Sequence, residues 1–144
     1  MRVNGFTLIE TLVVLAIMAM VITIVPPFIS NAIESTKIKA ASWEIVSGLK
    51  SARNIATTKQ KESTLTINVK KKHFIIGKKY YQLDLPDNTK LSLTAADTER
   101  LDENQAAIRF FPDGSSTGGQ IKIRSDKNNY LVDVNWLTGK IKLL

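Results

Sequence analysis

The sequence predicts an α+β fold. A long N-terminal helix, membrane-spanning in its first half, packs on antiparallel β-sheets of about seven to eight short strands. Three observations carry that expectation. A run of 24 residues from Phe6 to Ile29 holds one charge, Glu10. An apolar stripe at helical spacing follows it. Beyond Thr58 the apolar period drops to two, and Gly, Pro, Asn and Asp punctuate the alternation. The chain has 144 residues, one domain's worth, and 44% hydrophobic against 23% charged residues excludes a disordered or low-complexity chain. It has no Cys, so disulfide frameworks, thiolate metal sites and Cys nucleophiles are excluded. Its one His, His73, excludes a site built on two imidazoles. Twenty basic against thirteen acidic side chains give a net charge of +7.

The apolar run comes first. A bilayer core needs about 20 apolar helical residues, so residues 6–29 are long enough to span it. A secretory signal core runs to about 7–15 residues and ends at a small-residue cleavage site; this run is longer and passes into Pro26, Pro27, Phe28 and Ile29 instead. Arg2 and the terminal amine favour a cytoplasmic N-terminus and a body across the membrane. Glu10 has two readings: a carboxylate at headgroup depth suited to the positive end of the helix dipole, or the partner of a cation on another subunit. Pro26 and Pro27 are a candidate helix kink, because each ring removes a backbone hydrogen bond.

Residues 30–58 continue as an amphipathic helix. Ile38, Ala41, Ile45, Leu49, Ala52 and Ala56 fall on one stripe, and the charges fall mostly off it. Trp43 sits beside the stripe, half-buried at a sheet margin. The stretch 63–144 reads as β-rich. Thr64–Val69, His73–Ile76, Tyr80–Leu83, Lys90–Leu93, Ala107–Phe111, Gln120–Arg124, Tyr130–Val134 and Lys140–Leu143 are the expected strands. Residues 94–106 are acidic and polar and read as a loop. Pro112-Asp113-Gly114 is a turn signal.

Two sets of residues carry a family resemblance. Gly5-Phe6-Thr7-Leu8-Ile9-Glu10, ahead of an apolar stretch, resembles the class III signal of type IV pilins and pseudopilins. That signal is a short basic leader ending in Gly, then Phe, then Glu at the fifth position after the cut. The resemblance implies a leader of residues 1–5 and cleavage between Gly5 and Phe6 by a prepilin peptidase. It also implies methylation of the new Phe6 amine, and assembly through Glu10, which would neutralise the Phe6 amine of a neighbour. Ile108-Arg-Phe-Phe-Pro-Asp-Gly-Ser-Ser-Thr-Gly-Gly119 and Tyr130-Leu-Val-Asp-Val-Asn-Trp-Leu-Thr-Gly-Lys-Ile141 resemble the GspH/FimT group. They look closer to the H-type minor pseudopilins of type II secretion than to FimT-like minor type IV pilins, which bind DNA during natural transformation. The first branch implies a single-pass inner-membrane protein with residues 30–144 in the periplasm. Its partners would be the prepilin peptidase, other minor and major pseudopilins and the inner-membrane assembly platform. Neither a cofactor nor enzyme activity is implied.

Other constellations carry less. Asp113–Gly119 lacks the GxxxxGK[ST] pattern and reads as a hairpin connection, not a phosphate loop. Asp97, Glu99, Asp102 and Glu103 lack EF-hand spacing, and no metal site is expected. His73 reads as a strand surface residue without a catalytic partner, and Ser115 and Ser116 have no base near them in sequence. Residues 50–82 hold nine bases and one acid; residues 84–103 hold six acids and two bases. Lys70, Lys71, Lys72, Lys78 and Lys79 are therefore a candidate DNA or partner patch, against the plainer alternative of a solvated face.

Overall fold

The computed structural model describes residues 5–95, 99–102, 104–126 and 128–144, except the side chains of residues 24–31 and Arg100. The chain forms two compact units, Met1–Glu34 and Ser35–Leu144. One helix, α1, runs Leu8–Lys59.

In the first unit, Thr7 caps the helix. Its Oγ1 accepts the Glu10 amide at 3.3 Å and its carbonyl accepts the same amide at 3.1 Å. Thr7-Leu8-Ile9-Glu10 is thus the S/T-x-x-E sequence of a capping box, with Glu10 three residues inside the positive end of the helix. Thr11 and Thr23 turn their hydroxyls back onto the Leu8, Ala19 and Met20 carbonyls, so neither leaves an unpaired polar group on an apolar surface. Among the described residues no helix is long and apolar enough to cross a membrane. Leader residues 1–4, and the kink expected at Pro26 and Pro27, lie outside the described residues.

In the second unit the helical stripe is the core. Ile38, Ile45, Leu49, Ala52 and Ala56 are fully buried, and Ala41 nearly so. Gly48 lets the helix sit close on the Phe74 ring: a β-carbon there would lie 2.7 Å from Phe74 Cε2 and 3.2 Å from Leu65 Cδ1. Trp43 stands at the edge of this packing, 51% exposed. The helix stops at a Schellman-type cap. Gln60 takes φ 51° and the Lys61 amide donates to the Ala56 carbonyl at 3.3 Å.

Nine strands follow: β1 (Ser63–Asn68), β2 (His73–Ile76), β3 (Lys79–Gln82), β4 (Lys90–Thr94), β5 (Arg100–Asp102), β6 (Gln105–Phe110), β7 (Gly119–Arg124), β8 (Asn129–Val134) and β9 (Ile141–Leu143). They build two antiparallel sheets, β3-β2-β1-β6-β5 and β4-β7-β8-β9. Alternation decides the faces: Leu65 and Ile67 of β1, and Ile121 and Ile123 of β7, point inward and are fully buried. One apolar cluster joins these, Ile108, Phe110 and Val132 to the helix stripe. The α+β expectation stands, with one strand more than expected.

The extra strand is β5, inside the stretch read as a loop. It has three residues and a register irregularity between Arg100 and Asp102, too little for alternation to show. His73 also differs from expectation. It is 7% exposed, its ring lies 4.6 Å from the Tyr80 ring, and its Nδ1 is buried without a hydrogen-bond partner. A strand position next to a turn looks exposed in sequence; the Tyr80 ring on β3 covers this one.

Candidate functional site

The N-terminal candidates stand together at the start of α1. Phe6 is 75% exposed, and Leu8, Ile9, Leu12, Val13 and Leu15 follow it into solvent in the lone chain. Glu10 lies within this apolar surface, exposed, three residues inside the helix. An apolar surface of this kind on an isolated chain marks a face that something else covers.

The second candidate site comes from the two C-terminal signature stretches, which the fold brings together. Asn135 Oδ1 accepts the Leu137 amide, the Thr138 amide and the Thr138 hydroxyl at 3.1, 2.9 and 3.0 Å, and so shapes the β8–β9 connection. The Asn135 and Lys140 backbones close it, at 3.0 Å. The 111–118 loop docks beside it: the Ser116 amide donates to the Trp136 carbonyl at 2.8 Å and Ser116 Oγ to the Asn135 carbonyl at 3.2 Å. Gly139 takes φ +59°, and a β-carbon there would collide with the Gly114 carbonyl oxygen and come within 2.9 Å of Arg53 Nε. Arg53 ties both loops to the helix, donating from Nε to the Gly114 carbonyl and from Nη2 to the Thr138 carbonyl, each at 3.1 Å. The result is a pinned tip that holds Trp136 and Leu137 out at 65% and 63% exposure.

Sequence reasoning placed Arg53 among the basic residues and missed its role. Lys50, Arg53, Asn54 and Thr57 recur at helical spacing on one face of α1, a pattern that shows the shared face but not the distant carbonyls Arg53 reaches. With Thr138, Gly139, Lys140 and Ile141 they line a groove of about 480 Å³.

The candidate lysine patch is divided. Lys70, Lys71 and Lys72 lie in the β1–β2 turn and Lys78 and Lys79 at the β2–β3 turn, at opposite ends of β2. Lys72 donates from Nζ to the Pro86 carbonyl at 2.7 Å. Elsewhere a few charges are paired for structure. Arg109 bridges Glu62 at 2.8 Å and the buried Glu99 at 3.1 Å, and these contacts, the Glu62 hydrogen bond foremost, raise its pKa further. Asp113 accepts from Ser115 Oγ at 2.6 Å and its amide at 2.9 Å; chiefly through the hydroxyl, these bonds hold its pKa below the usual aspartate value. Among the described residues no cluster of His, Asp and Glu is arranged to hold a metal.

A helix that opens on a Gly-Phe-Thr-x-x-Glu motif and ends as the apolar face of antiparallel sheets defines a pilin-like subunit. Residues 1–26 match the Prokaryotic N-terminal methylation motif, and residues 41–139 match the family described as Type II transport protein GspH. The chain is 26% identical over 141 residues to the Type II secretion system protein H of Xanthomonas campestris pv. campestris, covering 98% of this chain and 83% of that one. Its fold is similar to that of the minor pseudopilin EpsH from the type 2 secretion system of Vibrio cholerae, with a TM-score of 0.58, 12% identity, and 75% and 96% of the two chains covered. It is similar also to the fold of the type IV minor pilin FimU of Pseudomonas aeruginosa, with a TM-score of 0.59, 13% identity, and 77% and 90% covered. The chain belongs to the GspH family of type II transport proteins. It is a minor pseudopilin of type II secretion, a structural subunit and not an enzyme.

Proposed function

We propose that this subunit is made as a precursor anchored in the bacterial inner membrane by residues 6–29, with its N-terminus cytoplasmic and residues 30–144 in the periplasm. Prepilin peptidase removes residues 1–5 and methylates Phe6. The mature chain then enters the periplasmic pseudopilus at or near its tip, beside other minor and major pseudopilins on the inner-membrane assembly platform. The filament drives folded proteins across the outer membrane. The observation that carries this reading is the joining, in one chain, of the methylation motif at residues 1–26 to a GspH body at 41–139.

Physics gives the motif its purpose. Cleavage leaves a cationic amine on Phe6 at the end of an apolar helix. Glu10, exposed four residues on, is a carboxylate with which a neighbour's amine can pair, and in apolar surroundings either charge alone is costly. A bend at Pro26 and Pro27 would adjust the helix as it enters the filament.

The test uses the precursor in cells. Gly5→Val is expected to block cleavage, read as retention of precursor mass. Glu10→Ala is expected to be inserted and cleaved normally but lost from the filament, with secretion falling at least about tenfold. Normal processing of Gly5→Val would overturn the leader assignment. Undiminished incorporation of Glu10→Ala would overturn the pairing.

A further inference from the structure

The β8–β9 tip is ordered more tightly than a surface turn needs. Asn135, Ser116 and Arg53 hold its backbone from three directions, yet it presents Trp136 and Leu137 to solvent. Exposing both gains nothing for the lone chain. A rigid aromatic knob does gain something on contact, because its ordering cost has been met before binding.

Charge supplies the second observation. The groove on one flank of the tip carries Lys50, Arg53 and Lys140 and no carboxylate in its lining. Arg53 gives its hydrogen bonds to neutral carbonyls, so its charge is uncompensated there. The ion pairs among the described residues involve Lys37 and Arg109, not these three. Three unneutralised cations in one concave surface create a field that an acidic partner satisfies.

We propose that this tip is a docking knob for a neighbouring protein subunit, one that closes an apolar hollow over Trp136 and Leu137 and lays a carboxylate-bearing segment into the Lys50–Arg53–Lys140 groove. The sign of the charge selects an acidic segment. The apolar ridge beside it selects a protein surface over duplex nucleic acid, whose phosphates offer a Trp–Leu pair no apolar contact. The proposal rests on the pseudopilin reading.

The experiment uses the full-length chain in cells that assemble the secretion system. A photoreactive benzoylphenylalanine replaces Leu137 in one strain and Leu12, on the N-terminal helix, in another. The Leu137 probe is expected to cross-link to another protein subunit at a peptide rich in Asp or Glu. The yield should fall about tenfold in the Lys50→Glu, Lys140→Glu double variant and recover when an acid of that peptide is changed to Lys. Both lysines are exposed, so the fold should survive; an unchanged urea midpoint checks that it has, and an unchanged Leu12 cross-link checks that the subunit still assembles. Cross-links from Leu137 to nucleic acid, to lipid or to a peptide without acids, or a yield indifferent to the charge reversal, would overturn the proposal while Leu12 still reports assembly. If neither probe reaches another subunit, the proposed incorporation into the filament fails and takes this proposal with it.

Discussion

Gly77 and Gly139 have the same backbone angle, φ +59°, in different surroundings. At Gly77 a β-carbon would meet nothing within 4 Å; at Gly139 it would strike the Gly114 carbonyl and Arg53. Gly77→Ala is expected to cost about 1 kcal/mol, the left-handed penalty alone. Gly139→Ala adds a backbone collision that only separation of the two loops relieves, so about 3 kcal/mol or more is expected. Urea denaturation of the two variants side by side gives the comparison, and equal losses would show that the tip is not locked. Asp113 offers a pH test at the same tip. Its folded pKa is depressed, so its contribution is present above the unfolded aspartate value and lost as pH falls through the folded value. Asp113→Asn should flatten the acid limb below about pH 4 and lower neutral stability by the same amount, a small one because the carboxylate is exposed. Superimposable stability curves from pH 5 to 2 would count against the Ser115 bonds.

At the scale of elements, α1 and β2 set a contest that magnitudes decide. Replacing a mid-helix Gly by Ala usually gains about 1 kcal/mol of helix propensity. At Gly48 the new methyl would press on Leu65 and on a Phe74 ring that Tyr81 stacks against at 4.9 Å, and overpacking costs about 1–3 kcal/mol. Gly48→Ala should therefore destabilise by about 1 kcal/mol. In Phe74→Leu, which frees the space, the same change should turn neutral or favourable. A double-mutant cycle reads the sign directly. The helix stripe was legible because its period is local: the six apolar positions read from spacing are all buried in the core, where Val46, beside Ile45, joins them. The eight other strands were legible for the same reason. What could not be read depends on distant partners. β5 exists because β6 pairs with it, and Glu99 beside it is held by Arg109. His73 is buried because Tyr80 on the next strand lies over it. Arg53 finds its acceptors 61 and 85 residues away, separations that no local pattern encodes.

At the scale of the whole molecule, the two ends of the chain hide their apolar surface by different means. Every member of the apolar core cluster lies between Ile38 and Val134, so the second unit carries its own core. Residues 5–23 are exposed throughout, and their large apolar side chains contribute none of that core. Their cover must come from lipid or from neighbouring helices. Among the described residues, removing 1–34 therefore takes away no core side chain. The body, residues 35–144, is expected to be soluble and monomeric and to unfold in one cooperative step. The intact chain should require detergent, and its body should unfold at the same urea midpoint, to within about 0.5 kcal/mol. Sedimentation and urea titration of the two forms provide the measurement. A body that aggregates or melts without cooperativity would mean that the N-terminal segment contributes to folding as well as to anchoring. Agreement would leave residues 1–34 to processing, anchoring and assembly, and the Arg53-pinned tip to contact beyond the helix.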